Sequence, residues 1–171
     1  MVVWLIGLAG AGKTTVAREV FARLRQRKPN VVLLDGDDVR TIMGDDLGHS
    51  LEDRHRNAWR ICRLCRYLDT QGIDVVCAIL SIFGETQDWN RENLSRYFEV
   101  YIEVPLEVLR ARDPKGLYSG ALAGRIKNVV GIDLPFTPPH QADLVVNNGR
   151  ADVTPDLLAD QIVAELDQRF S

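Results

Sequence analysis

A short apolar strand, Val2 to Ile6, runs without a break into Gly7-Leu8-Ala9-Gly10-Ala11-Gly12-Lys13-Thr14. This is a complete G-x-x-x-x-G-K-[ST] phosphate loop in the setting such a loop requires, with a strand before it and a helical pattern after it. Glycine lets backbone N–H groups turn inward, so Gly7, Ala9, Gly10, Ala11 and Gly12 form a cradle for a di- or triphosphate, extended by Thr15. The helix read from Thr14 to about Arg27 directs the positive end of its dipole at the same anion. Lys13 places a point charge between the outer phosphates, and Thr14 offers its hydroxyl to Mg²⁺. The expected ligand is a nucleoside triphosphate.

The remainder of the chain suits such a loop. With 171 residues and 46% apolar content, one compact domain over residues 1–171 is expected. A net charge of -3 argues against a broad nucleic-acid-binding face, while leaving the local field of the loop free to hold phosphate. No apolar run is long enough to cross a bilayer, and the first residues lack the pattern of a signal peptide, so a cytoplasmic protein without a membrane partner is expected. Cys62 and Cys65 form a C-x-x-C, a zinc or redox hint elsewhere. Here the pair shares a helical stripe with Ala58, Ile61 and Leu68 and has no second ligand pair, so buried, reduced core thiols are expected.

Apolar strand patterns recur at residues 2–6, 31–34, 74–80, 100–104 and 144–146, alternating with helical patterns at 14–27, 53–70, 90–97, 106–112 and 155–170. Strands that read as continuous Val/Ile/Leu runs are buried on both faces, so the pattern predicts a five-stranded parallel sheet between two helical layers. Ser50 followed by Asp53 resembles a capping box, and Thr154-Pro155 sets a cap before a proline at the first helical position. On such a sheet ligands gather beyond the carboxyl ends of the strands, which points to the residues after Ile6, Leu34 and Leu80.

After the second strand comes Asp35-Gly36-Asp37-Asp38-Val39-Arg40. Two carboxylates around one glycine, facing a phosphate loop, suit metal coordination and the alignment of an incoming hydroxyl. Asp37 is assigned the hydroxyl and Asp35 the Mg²⁺ shell; the plainer alternative is a turn that caps a short helix. Ser81 ends the third strand and either hydrogen-bonds a substrate or caps a turn. Arg112 and Lys115 flank Asp113-Pro114-Lys115-Gly116-Leu117-Tyr118, where proline and glycine break a helix. This reads as a flap whose basic groups close over a transferring phosphate, or as an ordinary solvated loop.

Several stretches together resemble the adenylylsulfate (APS) kinases. They are Trp4-Leu5-Ile6-Gly7-Leu8, Leu34-Asp35-Gly36-Asp37-Asp38-Val39-Arg40, and Asp53-Arg54 with Asn57 and Arg60. The most specific runs from Val100-Tyr101-Ile102-Glu103-Val104-Pro105 through Arg112-Asp113-Pro114-Lys115-Gly116-Leu117-Tyr118, and Gly131-Ile132-Asp133-Leu134-Pro135-Phe136 completes the set. The resemblance implies a P-loop NTPase of nucleotide-kinase type, a three-layer α/β/α domain with a small lid at about residues 112–130. It implies transfer of the γ-phosphate of ATP to the 3′-hydroxyl of adenosine 5′-phosphosulfate. Arg40, Arg54 and Asn57 would then grip the acceptor nucleotide, Ser81 would match the serine assigned to the family's active site, with Ile82 beside it, and Lys115 and Leu117 would belong to the lid. A homodimer is a further implication.

The departures from that family fall on the acceptor side. The family's Gly-Phe-Ser is Gly48-His49-Ser50, the phenylalanine of its Phe-Thr-Gly-Ile-Asp stretch is Val129, and its Ser-Pro-Tyr-Arg is Ser81-Ile82-Phe83-Gly84. The two lost aromatics would sandwich a purine, a stacking contribution of roughly 1–3 kcal/mol each. His49 stacks on or hydrogen-bonds a smaller base, or is a surface residue. Three readings follow: an APS kinase with an unusual pocket; a relative acting on another nucleotide, with cytidine diphosphoramidate as the named candidate; and a nucleotide-binding regulatory module without turnover.

Overall fold

A computed structural model describes residues 1–170. Five strands form one sheet: β1 (Val2–Ile6), β2 (Val31–Asp35), β3 (Asp74–Ile79), β4 (Tyr97–Glu103) and β5 (Leu144–Asn147). They lie in the order β2-β3-β1-β4-β5, and every pairing is parallel. The helices are α1 (Lys13–Arg27), α2 (Gly36–Ile42), α3 (Leu51–Thr70), α4 (Gly84–Asn93), α5 (Leu106–Arg112), α6 (Leu117–Leu122) and α7 (Pro155–Phe170).

The central strand shows why this is a three-layer sandwich. Side chains alternate across a strand, so Val3 and Leu5 enter one core with Val16 and Val20 of α1 and Leu158 and Ile162 of α7. Val2, Trp4 and Ile6 enter a second core with Ile61, Cys62 and Cys65 of α3. All five residues of β1 are fully buried. The C-x-x-C pair is therefore core, and Cys62, Cys65 and Cys77 are free and buried.

The expected capping signals are realised. Ser50 Oγ accepts the Asp53 N–H at 3.1 Å and starts α3, and Thr154 Oγ1 accepts the Leu157 N–H at 3.3 Å ahead of α7. Each such cap stabilises its helix by about 1 kcal/mol.

Two elements are displaced from expectation by three residues or more. The helix placed at 90–97 is α4, Gly84–Asn93, and the fourth strand begins at Tyr97, three residues earlier than the apolar run suggested. The reason is Glu99. It lies inside the sheet, almost wholly buried, where Tyr97 Oη donates to its Oε2 at 2.5 Å and Asp143 accepts its backbone N–H at 2.8 Å. A buried acid interrupts the apolar pattern without interrupting the strand. The flap contains a helix the pattern did not predict, α6, whose first turn is held by Asp113 accepting the N–H groups of Tyr118 at 3.0 Å and Ser119 at 2.8 Å.

Candidate active site

The phosphate loop sits between the end of β1 and α1 as a closely fitted backbone turn. At Gly7 a Cβ would stand 2.9 Å from the Ile102 carbonyl oxygen, so no side chain is accommodated. Gly12 has φ +90° and a Cβ there would meet Asn148 Nδ2 at 2.5 Å. That same amide donates to the Ala11 carbonyl at 2.8 Å, so the turn after β5 braces the loop.

Lys13 folds back onto its own loop, its Nζ donating to the Leu8 carbonyl at 2.9 Å. Burial lowers its pKa to about 8, against the opposing pull of Asp35 and Asp37 and with some help from Lys115. A cation made this uncomfortable gains strongly from an arriving phosphate.

Thr14 Oγ1 donates to Asp35 Oδ2 at 2.6 Å, while Asp35 Oδ1 accepts the Asp37 N–H at 2.9 Å and caps α2. The two oxygens of Asp35 thus serve both alternatives raised by the sequence, one facing the loop threonine and the other starting a helix. Among the described residues no cluster of three His, Cys, Asp or Glu could hold a metal by itself. A paired hydroxyl and carboxylate beside a phosphate cradle is nevertheless the donor set that suits Mg²⁺, which keeps waters and phosphate oxygens as most of its ligands.

In front of the loop lies a cleft of about 540 Å³, within the range of small-ligand sites. Its walls bring together Gly10, Lys13, Thr14, Asp35 and Asp37 with Lys115, Leu117 and Val129 of the flap. A smaller recess of about 70 Å³ opens beside it, shared through Asp37, His49 and Arg54 and deepened by Arg40, Asn57, Ser81 and Ile82. Asp37 stands where the two meet, solvent-exposed, with Lys115 Nζ 4.0 Å from its Oδ2. Two residues are spent partly on shaping the recess itself. Arg40 donates to the Leu47 and Gly48 carbonyls at 3.2 and 2.7 Å. Arg54 donates to the carbonyls of His49 at 3.0 Å and Asn128 at 2.9 Å, tying the recess to the flap.

Burial, with Arg54 and Arg40 nearby, holds the His49 imidazole below its ordinary pKa, so the ring is neutral at pH 7. Asn57 is 4% exposed, and its Oδ1 has no hydrogen-bond partner. Ser81 is equally buried, with Trp4 Nε1 and Gln87 Nε2 both donating to its Oγ at 3.2 Å. Val129 is 2% exposed and packs into the core below α5 and α6, its backbone N–H held by Asp133.

Of the residues singled out from the sequence, Arg112 lies off the cleft. Its guanidinium donates to the Asn148 carbonyl at 2.9 Å. Gly7 and Ala11 do not line the cleft either. Three contributors have roles that the sequence did not assign to them. Tyr118, 2% exposed, anchors the flap by donating from its hydroxyl to the Ala9 carbonyl at 2.7 Å. Asn148 braces the loop from 137 residues away in the chain. Lys127 adds a further cation to the wall. Only Tyr118 carried a signal, as an aromatic inside a polar flap.

The adenylylsulphate kinase family profile matches residues 1–147. A cytidine diphosphoramidate kinase from Campylobacter jejuni is 42% identical over 150 residues, covering 86% of this chain and 85% of the relative. An adenylyl-sulfate kinase from Halothermothrix orenii is also 42% identical, over 151 residues, covering 88% and 82%. Among solved structures, the Mycobacterium tuberculosis APS kinase CysC in complex with AMPPNP and APS superposes with a TM-score of 0.88 at 33% identity, covering 97% of this chain and 96% of that one.

Proposed function

Because this chain belongs to the adenylylsulphate kinase family and is a phosphotransferase, we propose that it transfers the γ-phosphate of ATP to the 3′-hydroxyl of adenosine 5′-phosphosulfate, giving the 3′-phosphorylated product. The observation that carries this reading is the convergence at Asp37. One carboxylate lies on the wall of the phosphate-loop cleft and on the wall of a recess lined by Arg40, Arg54 and Asn57.

The division of labour follows from position. The loop amides and Lys13 take the β- and γ-phosphates of ATP. Thr14 and Asp35 would hold Mg²⁺, which would neutralise charge on the phosphate oxygens. Arg40 and Arg54 hold the acidic group of the acceptor in charge-assisted hydrogen bonds. Asp37 aligns the 3′-hydroxyl in line with the γ-phosphorus and accepts its proton as the bond to phosphorus forms. Lys115, placed on the flap beside Asp37, meets the charge that spreads over the transferring group. No covalent phosphoenzyme is needed. The protein acts in the cytoplasm, as a homodimer.

A second acceptor, cytidine diphosphoramidate, is favoured by one specific feature. The walls that would stack on a purine carry a neutral His49 and a buried Val129 in place of two aromatics. A screen of ADP release with each acceptor separates the two readings. Efficient turnover of adenosine 5′-phosphosulfate alone supports the first, and turnover of the cytidine compound alone supports the second. ADP release that ignores both would leave a nucleotide-binding module without transfer.

A further inference from the structure

Ser81 follows β3 with φ +42°, a left-handed conformation that a serine holds only when its surroundings impose it. The surroundings are visible. Trp4 Nε1 donates to its Oγ at 3.2 Å, and Gln87 Nε2 donates at 3.2 Å both to Oγ and to the Ser81 carbonyl. The orientation of the Gln87 amide is set by chemistry, because a carbonyl oxygen only accepts and so must face the nitrogen side. Trp4 is fully buried and Gln87 is 5% exposed, so neither donor turns to water instead.

A hydroxyl has two lone pairs and one proton. Here both lone pairs are engaged by N–H donors, which leaves donation as the one thing the Ser81 hydroxyl can still do. It makes no such donation within the described residues. The serine lines the recess in which Asn57 Oδ1 also stands unpartnered. Gln87 itself lines neither cavity.

We propose that Gln87 is a positioning residue for acceptor recognition: with Trp4 it orients Ser81 so that the hydroxyl presents its proton, and not a lone pair, to an electron-pair-bearing atom of the acceptor nucleotide. The proposal rests on the reading of this recess as the acceptor site. It also assigns Ser81 a binding role without nucleophilic attack, since the electron pairs that would attack phosphorus are already occupied.

The test is a double-mutant cycle with adenosine 5′-phosphosulfate and, separately, cytidine diphosphoramidate as acceptors at saturating ATP. Gln87→Met keeps the length of the side chain and removes both donors. The acceptor KM rises about tenfold, the worth of one well-made hydrogen bond, while kcat and the KM for ATP stay within about twofold. Gln87→Glu substitutes an acceptor that captures the Ser81 proton, and raises the acceptor KM further. In a Ser81→Ala background Gln87→Met adds nothing more. Losses of equal size in both backgrounds, or a fall in kcat with the acceptor KM unmoved, overturn the proposal.

A readout on the unaltered protein covers variants that do not fold. The Trp4 indole N–H resonance shifts when the acceptor is added to the ADP complex, and no shift overturns the proposal. Wild-type protein that turns over neither acceptor removes the reading beneath it, whereas normal turnover with an additive cycle removes only the role of Gln87.

Discussion

The two sides of this cleft, proposed to take the phosphate donor and the acceptor, are built on opposite plans. The donor side is main chain: consecutive residues between β1 and α1, closed so tightly that a Cβ at Gly7 or Gly12 would collide with the Ile102 carbonyl or the Asn148 amide. The recess is side chains drawn from α2, the turn between α2 and α3, α3 itself and the end of β3, and it holds an orphaned carboxamide oxygen at Asn57. A backbone cradle fixes one ligand chemistry, because N–H groups admit only an anion. A side-chain recess is recut by single substitutions, and the departures at His49, Ile82 and Phe83 fall there, with Val129 on the wall of the adjoining cleft. A phosphate donor can thus be retained while the acceptor changes.

The sharpest way to break this contrast is Lys13→Ala. Removing the loop cation should cost about 10²–10³-fold in transfer whichever acceptor is offered, together with most of the affinity for ATP. A loss confined to one acceptor would mean that the two sides are not separate.

Next in size is Arg54→Ala, which removes the proposed charged contact to the acceptor and the observed tie between recess and flap. The acceptor kcat/KM should fall roughly 10- to 100-fold with the KM for ATP unchanged. An equal rise in both KM values would show the flap tie reaching the donor side as well.

The smallest effect is a pH dependence. Lys13 in the empty cleft loses its proton at about pH 8, chiefly through burial, and a bound polyphosphate favours the cation and raises that value. Binding above pH 8 therefore requires proton uptake, and affinity for ADP should fall with rising pH, at most tenfold per unit. Below pH 8 the lysine is already charged and affinity should be flat. Lys13→Arg, charged throughout, should abolish the slope, and calorimetry in two buffers reads the proton directly.

The same contrast explains what the sequence made legible. The cradle occupies one continuous stretch, so its residue types and spacing declare it. Strand alternation likewise exposed the three layers, since a parallel sheet needs continuous apolar runs. Legibility failed where tertiary partners decide. Glu99 reads as a break yet lies buried in β4 because Tyr97 and the Asp143 contact satisfy it. Tyr118 and Asn148 reach the loop over 109 and 137 residues of chain, separations that no local pattern reports. Asn57 was identified through the family resemblance and Ser81 from its place at the end of the third strand; that one has an unpartnered acceptor and the other two occupied lone pairs is visible only in three dimensions.

The most direct test separates gripping the nucleotide from aligning the hydroxyl. Asp37→Ala protein should bind ATP with Mg²⁺ as the wild type does, measured by calorimetry, while transfer to its acceptor falls by about 10²–10⁴-fold. Near wild-type transfer by Asp37→Ala would contradict the account, as would failure of the unaltered protein to bind ATP at all.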